Sequence, residues 1–149
     1  MIHFNFAFNL SIQQTYVPAD AQLTVARQSY IPLLEVLDSH PRQRAAFFVD
    51  GATDIFLQKH LPELVLKIKK GVEEGRFEIG TYTYNHPILC LIPFEDTMKQ
   101  LERGIQLDEQ TWGVRPKGLL LPEGGWDPSI PFLLRALELE WLIIPHLTI

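Results

Sequence analysis

The chain has 149 residues, 46% of them hydrophobic and 21% charged, which suits one globular domain with its own core and excludes a disordered segment. A formal net charge of −5, with Lys and Arg scattered rather than striped, argues against a nucleic-acid partner and against an anionic membrane surface. The single Cys90 excludes an internal disulfide framework and a cysteine-based metal centre, and the absence of a signal-peptide pattern or of roughly 18 consecutive apolar residues leads to the expectation of a soluble cytoplasmic protein.

Strand and helix signals then alternate along the chain. Ile2 to Leu10 alternates large apolar residues with His3, Asn5, Ala7 and Asn9, the period of a strand. Leu23 to Ser39 has helical spacing with Leu33, Leu34, Val36 and Leu37 on its inner side, and Pro32 interrupts it, which places the stronger helix from about Tyr30. Ala45 to Val49 is a short apolar strand ending at the turn Asp50-Gly51. Thr53 to Lys59 and Pro62 to Glu74 read as helices, the second closed by Gly75. Arg76 to Gly80 is the third strand, followed by an aromatic and polar loop from Thr81 to Ile92. Pro93 to Gln110 reads as a helix, Pro116 to Leu121 as a strand, Ser129 to Leu139 as a helix and Glu140 to Ile144 as a strand. About five strands separated by helices predict an α/β fold with a parallel sheet, in a single domain over residues 1–149.

Such a sheet concentrates ligand-binding groups on the loops that follow its strands. One rim then collects Asn9 and Ser11 after the first strand and Asp50 after the second. Tyr82, Tyr84, Asn85 and His86 follow the third, Glu123 and Trp126 the fourth, and His146 the fifth. Carboxylate, imidazole, amide and aromatic groups together suit a carbohydrate, whose faces stack on rings and whose hydroxyls bond to polar groups. Leu121-Pro122-Glu123-Gly124-Gly125-Trp126-Asp127-Pro128 carries most of this reading, because it sets a carboxylate and an indole directly after an apolar strand. Each residue also has a plainer role open to it. Tyr82 and Tyr84 can pack under the loop, Asp50 can cap the next helix, and Asp127 can cap the one after Pro128.

His86 would need at least two converging partners to hold a metal, and only Asp50 and His146 offer themselves, neither at a short spacing. No metal and no cofactor are expected. A Gly-x-Ser-x-Gly elbow and a phosphate-binding glycine loop are both absent from the sequence.

Three segments carry a resemblance to a known family. Tyr30-Ile31-Pro32-Leu33-Leu34-Glu35 is the first. Tyr84-Asn85-His86-Pro87-Ile88-Leu89, with Leu91-Ile92-Pro93 and Asp96, is the second. Gly113-Val114-Arg115-Pro116-Lys117-Gly118 leading into Pro122 to Pro128 is the third. In this order they resemble the N-terminal part of family 57 glycoside hydrolases over nearly the whole chain. The resemblance implies a partial, incomplete β/α barrel, a retaining mechanism, and an oligosaccharide or α-glucan as partner. It also implies Glu123 as nucleophile and Trp126 as a substrate-contacting aromatic, with His86, Tyr84, Tyr82, Asn9 and Asp50 as substrate-binding candidates.

The family's His-x-His-Gln-Pro segment reads Asn9-Leu10-Ser11-Ile12-Gln13 here, the Glu of its Tyr-Glu-Pro is replaced by Asn85-His86, and the Arg after the nucleophile is Gly124. Its general acid is an Asp beyond Ile149. Leu33 to Gly51 and Glu78 to Pro87 also resemble NodB-type polysaccharide deacetylases of the same superfamily. Of that family's metal triad only His86 survives, the other places falling at Asn9 or Leu10 and at Tyr82.

Two readings follow. In one, the chain is a retaining α-glucan hydrolase or transferase, weakly active alone, whose acid/base comes from a missing C-terminal segment or from a second chain in a homo-oligomer. In the other, it is a non-catalytic sugar-binding or structural remnant. A deacetylase-like hydrolase ranks behind both.

Overall fold

A computed structural model describes residues 5–12 and 17–144. Five strands, β1 (Phe6–Leu10), β2 (Ala45–Val49), β3 (Phe77–Thr81), β4 (Gly118–Leu120) and β5 (Trp141–Ile143), pair in chain order and all in parallel. Sequential parallel strands need a crossover each, and crossovers of one hand put the connections on one side. The sheet is therefore the parallel one expected from the alternating pattern and forms the half-barrel that the resemblance implies. The helices are α1 (Gln22–Ser39), α2 (Gly51–His60), α3 (Pro62–Glu73), α4 (Phe94–Trp112) and α5 (Ile130–Ala136). Among the described residues, no helix is long and apolar enough to cross a membrane.

Two clusters fill the space between sheet and helices. Leu10, Phe47, Val49, Phe77 and Ile79 meet Leu34, Leu37, Leu64 and Ile68 of α1 and α3. Leu119 and Leu121 meet Leu101, Ile105, Ile130 and Leu133 of α4 and α5. Helix α1 runs unbroken through Pro32, because its buried stripe of Ala26, Tyr30, Leu34 and Leu37 continues on both sides of an exposed proline. Packing of that stripe outweighs the lost N–H. Val36, expected inside, is 58% exposed. It falls one residue outside the stripe.

The concave face is packed as well. Phe48 lies across Gly80 and Trp141 across Gly118, each ring 2.2 Å from where a Cβ on that glycine would sit, and the two rings meet edge to face at 5.9 Å. Glycine on one strand thus makes room for an aromatic ring from its neighbour. A groove lined by Ala7, Ala46, Glu78, Trp141 and Ile143 opens where the strands begin, at the other end of the sheet from the candidate rim.

Candidate active site

The rim is built on the second turn of the chain. Asp50, at the end of β2, caps α2: its carboxylate accepts from the Thr53 backbone N–H at 2.8 Å and from the Thr53 hydroxyl at 3.0 Å. The Thr53 hydroxyl in turn accepts the Ile12 backbone N–H at 2.6 Å, which ties the segment after β1 to α2. From the other side, Tyr30 of α1 reaches the backbone of Ser11, and burial pushes the Tyr30 hydroxyl well above the usual phenol range. Ser11 and Ile12 are therefore each tied to a helix, α1 and α2.

The loop after β3 is set by backbone as well as side chains. Thr83, His86 and Glu123 are three of the four non-glycine residues with positive φ among those described, at 75°, 55° and 51°. Backbone held in this region costs of order 1–3 kcal/mol per residue and concentrates at functional sites. Thr83 accounts for part of the compensation, its carbonyl accepting from Gly51 N at 3.2 Å and its hydroxyl from His86 N at 3.1 Å. Tyr84 packs over Gly51, where a Cβ would come within 2.7 Å of the Tyr84 ring and carbonyl, and Asn85 N donates to Gln100 Oε1 at 2.9 Å.

His86 then joins three of the strand-end loops. Its Nδ1 stands 3.4 Å from Ser11 Oγ and its Nε2 3.3 Å from Glu123 Oε1, while its ring meets the edge of Tyr82 at 4.3 Å. Tyr82 is 4% exposed, and its hydroxyl is pushed up to about 12, chiefly by burial, with the Asn9 hydrogen bond pulling down and Glu123 and Asp50 pushing up. Asn9, Ser11, Tyr82, His86 and Glu123 thus form one connected cluster.

The depths of these groups differ. The His86 side chain is 10% exposed and that of Glu123 58%, so the carboxylate is the more accessible of the two. Trp126 is 45% exposed on the loop beyond it. Gly125 packs closely on Ile88 and Cys90, which joins the loops after β3 and β4. Asp127 is engaged elsewhere: it accepts from Ser129 N at 2.8 Å and from the Ser129 hydroxyl, which hold its carboxyl below the usual range. His146 lies outside the described residues. Among those described, no group of three or more His, Cys, Asp or Glu side chains could hold a metal ion.

A second acidic centre lies behind the rim, between α2 and α4, and sequence reading missed it. Asp54 and Asp108 are 0% and 2% exposed. Burial, offset by hydrogen bonds with Thr111 and Gln58, raises Asp54 to about 6. Asp108 is raised well above the carboxylate range by burial and then by Asp54, with Thr81 and Trp112 opposing. Gln58 bridges the seam, its Nε2 donating to Asp54 Oδ1 at 3.1 Å and to Thr111 Oγ1 at 2.9 Å.

The family model for glycosyl hydrolase family 57 matches residues 3–146. An alpha-amylase of Pyrococcus horikoshii is 28% identical over 117 residues, 78% of this chain and 18% of that protein. The crystal structure of a 4-alpha-glucanotransferase from Thermococcus litoralis superposes with a TM-score of 0.81 at 22% identity, covering 93% of this chain and 21% of the other. The peptidoglycan deacetylase PdaC of Bacillus subtilis has a TM-score of 0.63 at 20% identity, covering 93% of this chain and 55% of the other. The chain thus spans about a fifth of the length of its glucan-acting relatives.

Proposed function

The chain belongs to glycosyl hydrolase family 57, and we propose that it forms the nucleophile-bearing half of a carbohydrate-active barrel acting on α-glucans. The observation that carries this reading is the Glu123 carboxylate, exposed at the strand-end rim and held by His86 at 3.3 Å. A retaining reaction puts such a group against the anomeric carbon. Trp126, exposed on the same loop, suits stacking on a sugar face. Tyr82 and Asn9 supply hydroxyl and amide groups next to His86.

A retaining enzyme also needs a second carboxyl group about 5 Å from the nucleophile. Asp127 is committed to Ser129, and Asp50 to capping α2. We therefore assign the acid/base to a group outside the described residues, on further chain or on a second copy. The sheet ends at β1 and β5 among the described residues, with Phe6 46% and Ile144 51% exposed, and self-association or docking of further chain would cover those edges.

The test is trapping with 5-fluoro-α-D-glucosyl fluoride. Fluoride leaves without a proton, so the reagent needs the nucleophile and not the acid. A mass increase of one fluoroglucosyl group on the Glu123 peptide, absent in Glu123→Gln, supports the assignment. No labelling at saturating reagent refutes it. A non-catalytic sugar-binding role is the second reading, favoured by Asn9 and Ser11 standing where the family usually has histidines. It predicts glycan binding that survives Glu123→Gln.

A further inference from the structure

We infer that Ser11 and His86 are positioning residues that lock one oxygen of Glu123 and leave the other to react, an inference that rests on Glu123 being the nucleophile. Ser11 and Glu123 stand at the two ring nitrogens of His86, Ser11 at Nδ1 and Glu123 at Nε2. Ser11 is half-buried and pinned through its backbone by Tyr30 and, one residue on, by Thr53. His86 is nearly buried, and Glu123 is open to solvent. The contrast between the nearly buried imidazole and the exposed carboxylate sets the direction of the relay. A serine nucleophile activated by His86 would sit at the outer end with the carboxylate inside, and here the carboxylate is outermost.

The chemistry follows from which nitrogen carries the proton. The Ser11 hydroxyl can donate to Nδ1, at 3.4 Å. With Nδ1 as acceptor, a neutral imidazole carries its proton on Nε2, which donates to Glu123 Oε1 at 3.3 Å. Oε1 is then held, and Oε2 is the oxygen that attacks. When Oε2 bonds to the anomeric carbon, the bond from that carbon to the leaving group breaks and the leaving group takes its electron pair. Oε1 becomes the carbonyl oxygen of the glycosyl ester and keeps the His86 hydrogen bond. When water attacks the anomeric carbon, its proton passes to the acid/base group assigned above outside the described residues, the carbon–Oε2 bond breaks, the pair returns to the carboxylate, and His86 stabilises that charge. The strained backbones of His86 and Glu123, at φ 55° and 51°, keep imidazole and carboxylate facing each other.

Ring-nitrogen NMR at pH 8 on uniformly 15N-labelled protein reads the tautomer directly, with His86→Asn assigning the signal. The expected result is an Nε2–H tautomer in the unmodified protein, a mixture in Ser11→Ala and recovery in Ser11→Thr. An Nδ1–H tautomer, or one indifferent to Ser11→Ala, overturns the proposal. The rate of labelling by the fluorosugar is the second measurement. It should fall about fivefold in Ser11→Ala, the worth of one ordinary hydrogen bond, and about tenfold in His86→Asn. Labelling rates unchanged in both variants would also overturn the proposal. If the tautomer follows Ser11 while Glu123 never labels, the relay stands and the nucleophile assignment falls.

Discussion

Glu123 and the Asp54–Asp108 pair place the same functional group in opposite surroundings. Glu123 stands on a short loop with left-handed backbone, more than half exposed, and meets one imidazole. Asp54 and Asp108 stand on regular helices, buried, with hydroxyl, amide and indole groups around them. The exposed Glu123 side chain is open to water. Nothing comparable reaches the seam, so burial favours the protonated acids there. Both carboxyl sites share a scaffold, since α2 starts at the Asp50 cap beside the rim and carries Asp54 one turn later. The strained loop leaves its acid exposed. The helical seam commits its acids to packing.

The largest effect expected from this contrast is a pH-dependent gain in stability from Asp54→Asn. The folded-state value of Asp54 is raised from 3.8 to about 6, so the native state binds the proton more tightly than the unfolded chain. Its contribution is intact below the unfolded value, is lost as pH rises from about 4 to 6, and stays lost above that. At 1.36 kcal/mol per unit the loss is about 3 kcal/mol. Urea denaturation should therefore show Asp54→Asn more stable than the native sequence at pH 7, with the advantage fading by pH 4. A variant equally or less stable at pH 7 would mean that the seam tolerates an ionised pair.

Removing the cap links the two regions and should cost somewhat less. Asp50→Ala deletes the acceptor for the Thr53 N–H and hydroxyl, for a loss of about 1–2 kcal/mol. Because Thr53 also holds Ile12, hydrogen exchange at the Ile12 amide should accelerate beyond the global change. Exchange that merely tracks global stability would separate the cap from the rim.

Substitutions at the exposed acid sharpen the comparison from the other side. Glu123→Gln should change the unfolding free energy from urea denaturation by no more than about 0.5 kcal/mol, the usual range for surface positions, while abolishing fluorosugar labelling. A larger stability loss would make Glu123 a structural residue. Trp126→Ala should have the smallest effect on folding, again within about 0.5 kcal/mol, with maltooligosaccharide binding weakened through lost stacking. Calorimetry showing unchanged binding would remove Trp126 from the site.

Much of the fold was legible in the residues. Ala45 to Val49 was recognisable from an apolar run stopped by Asp50-Gly51, and the observed β2 has the same bounds. The place of Glu123 on a strand-to-helix loop was recognisable from the apolar strand before it and the glycines after it, and it stands between β4 and α5. Pro32 misled, since a helix-breaking signal is local and the stripe that overrides it is set by packing against the sheet. Asp54 and Asp108 gave no signal, because an Asp in an amphipathic helix ordinarily faces water. Only the contact of α2 with α4 buries both.

Sequence alone determined the alternation of strand and helix, the parallel sheet and the set of loops that share a rim, because period, turn residues and strand-end positions are local properties of the chain; the half-barrel came from the family resemblance. Tertiary structure decided which rim residues touch. Ser11, His86 and Glu123 are separated by 75 and 37 positions, and no local pattern encodes a hydrogen bond across three loops. It arises from parallel strands packed side by side, from α1 and α2 that hold Ser11 and Ile12, and from the loops after β3 and β4 that carry His86 and Glu123.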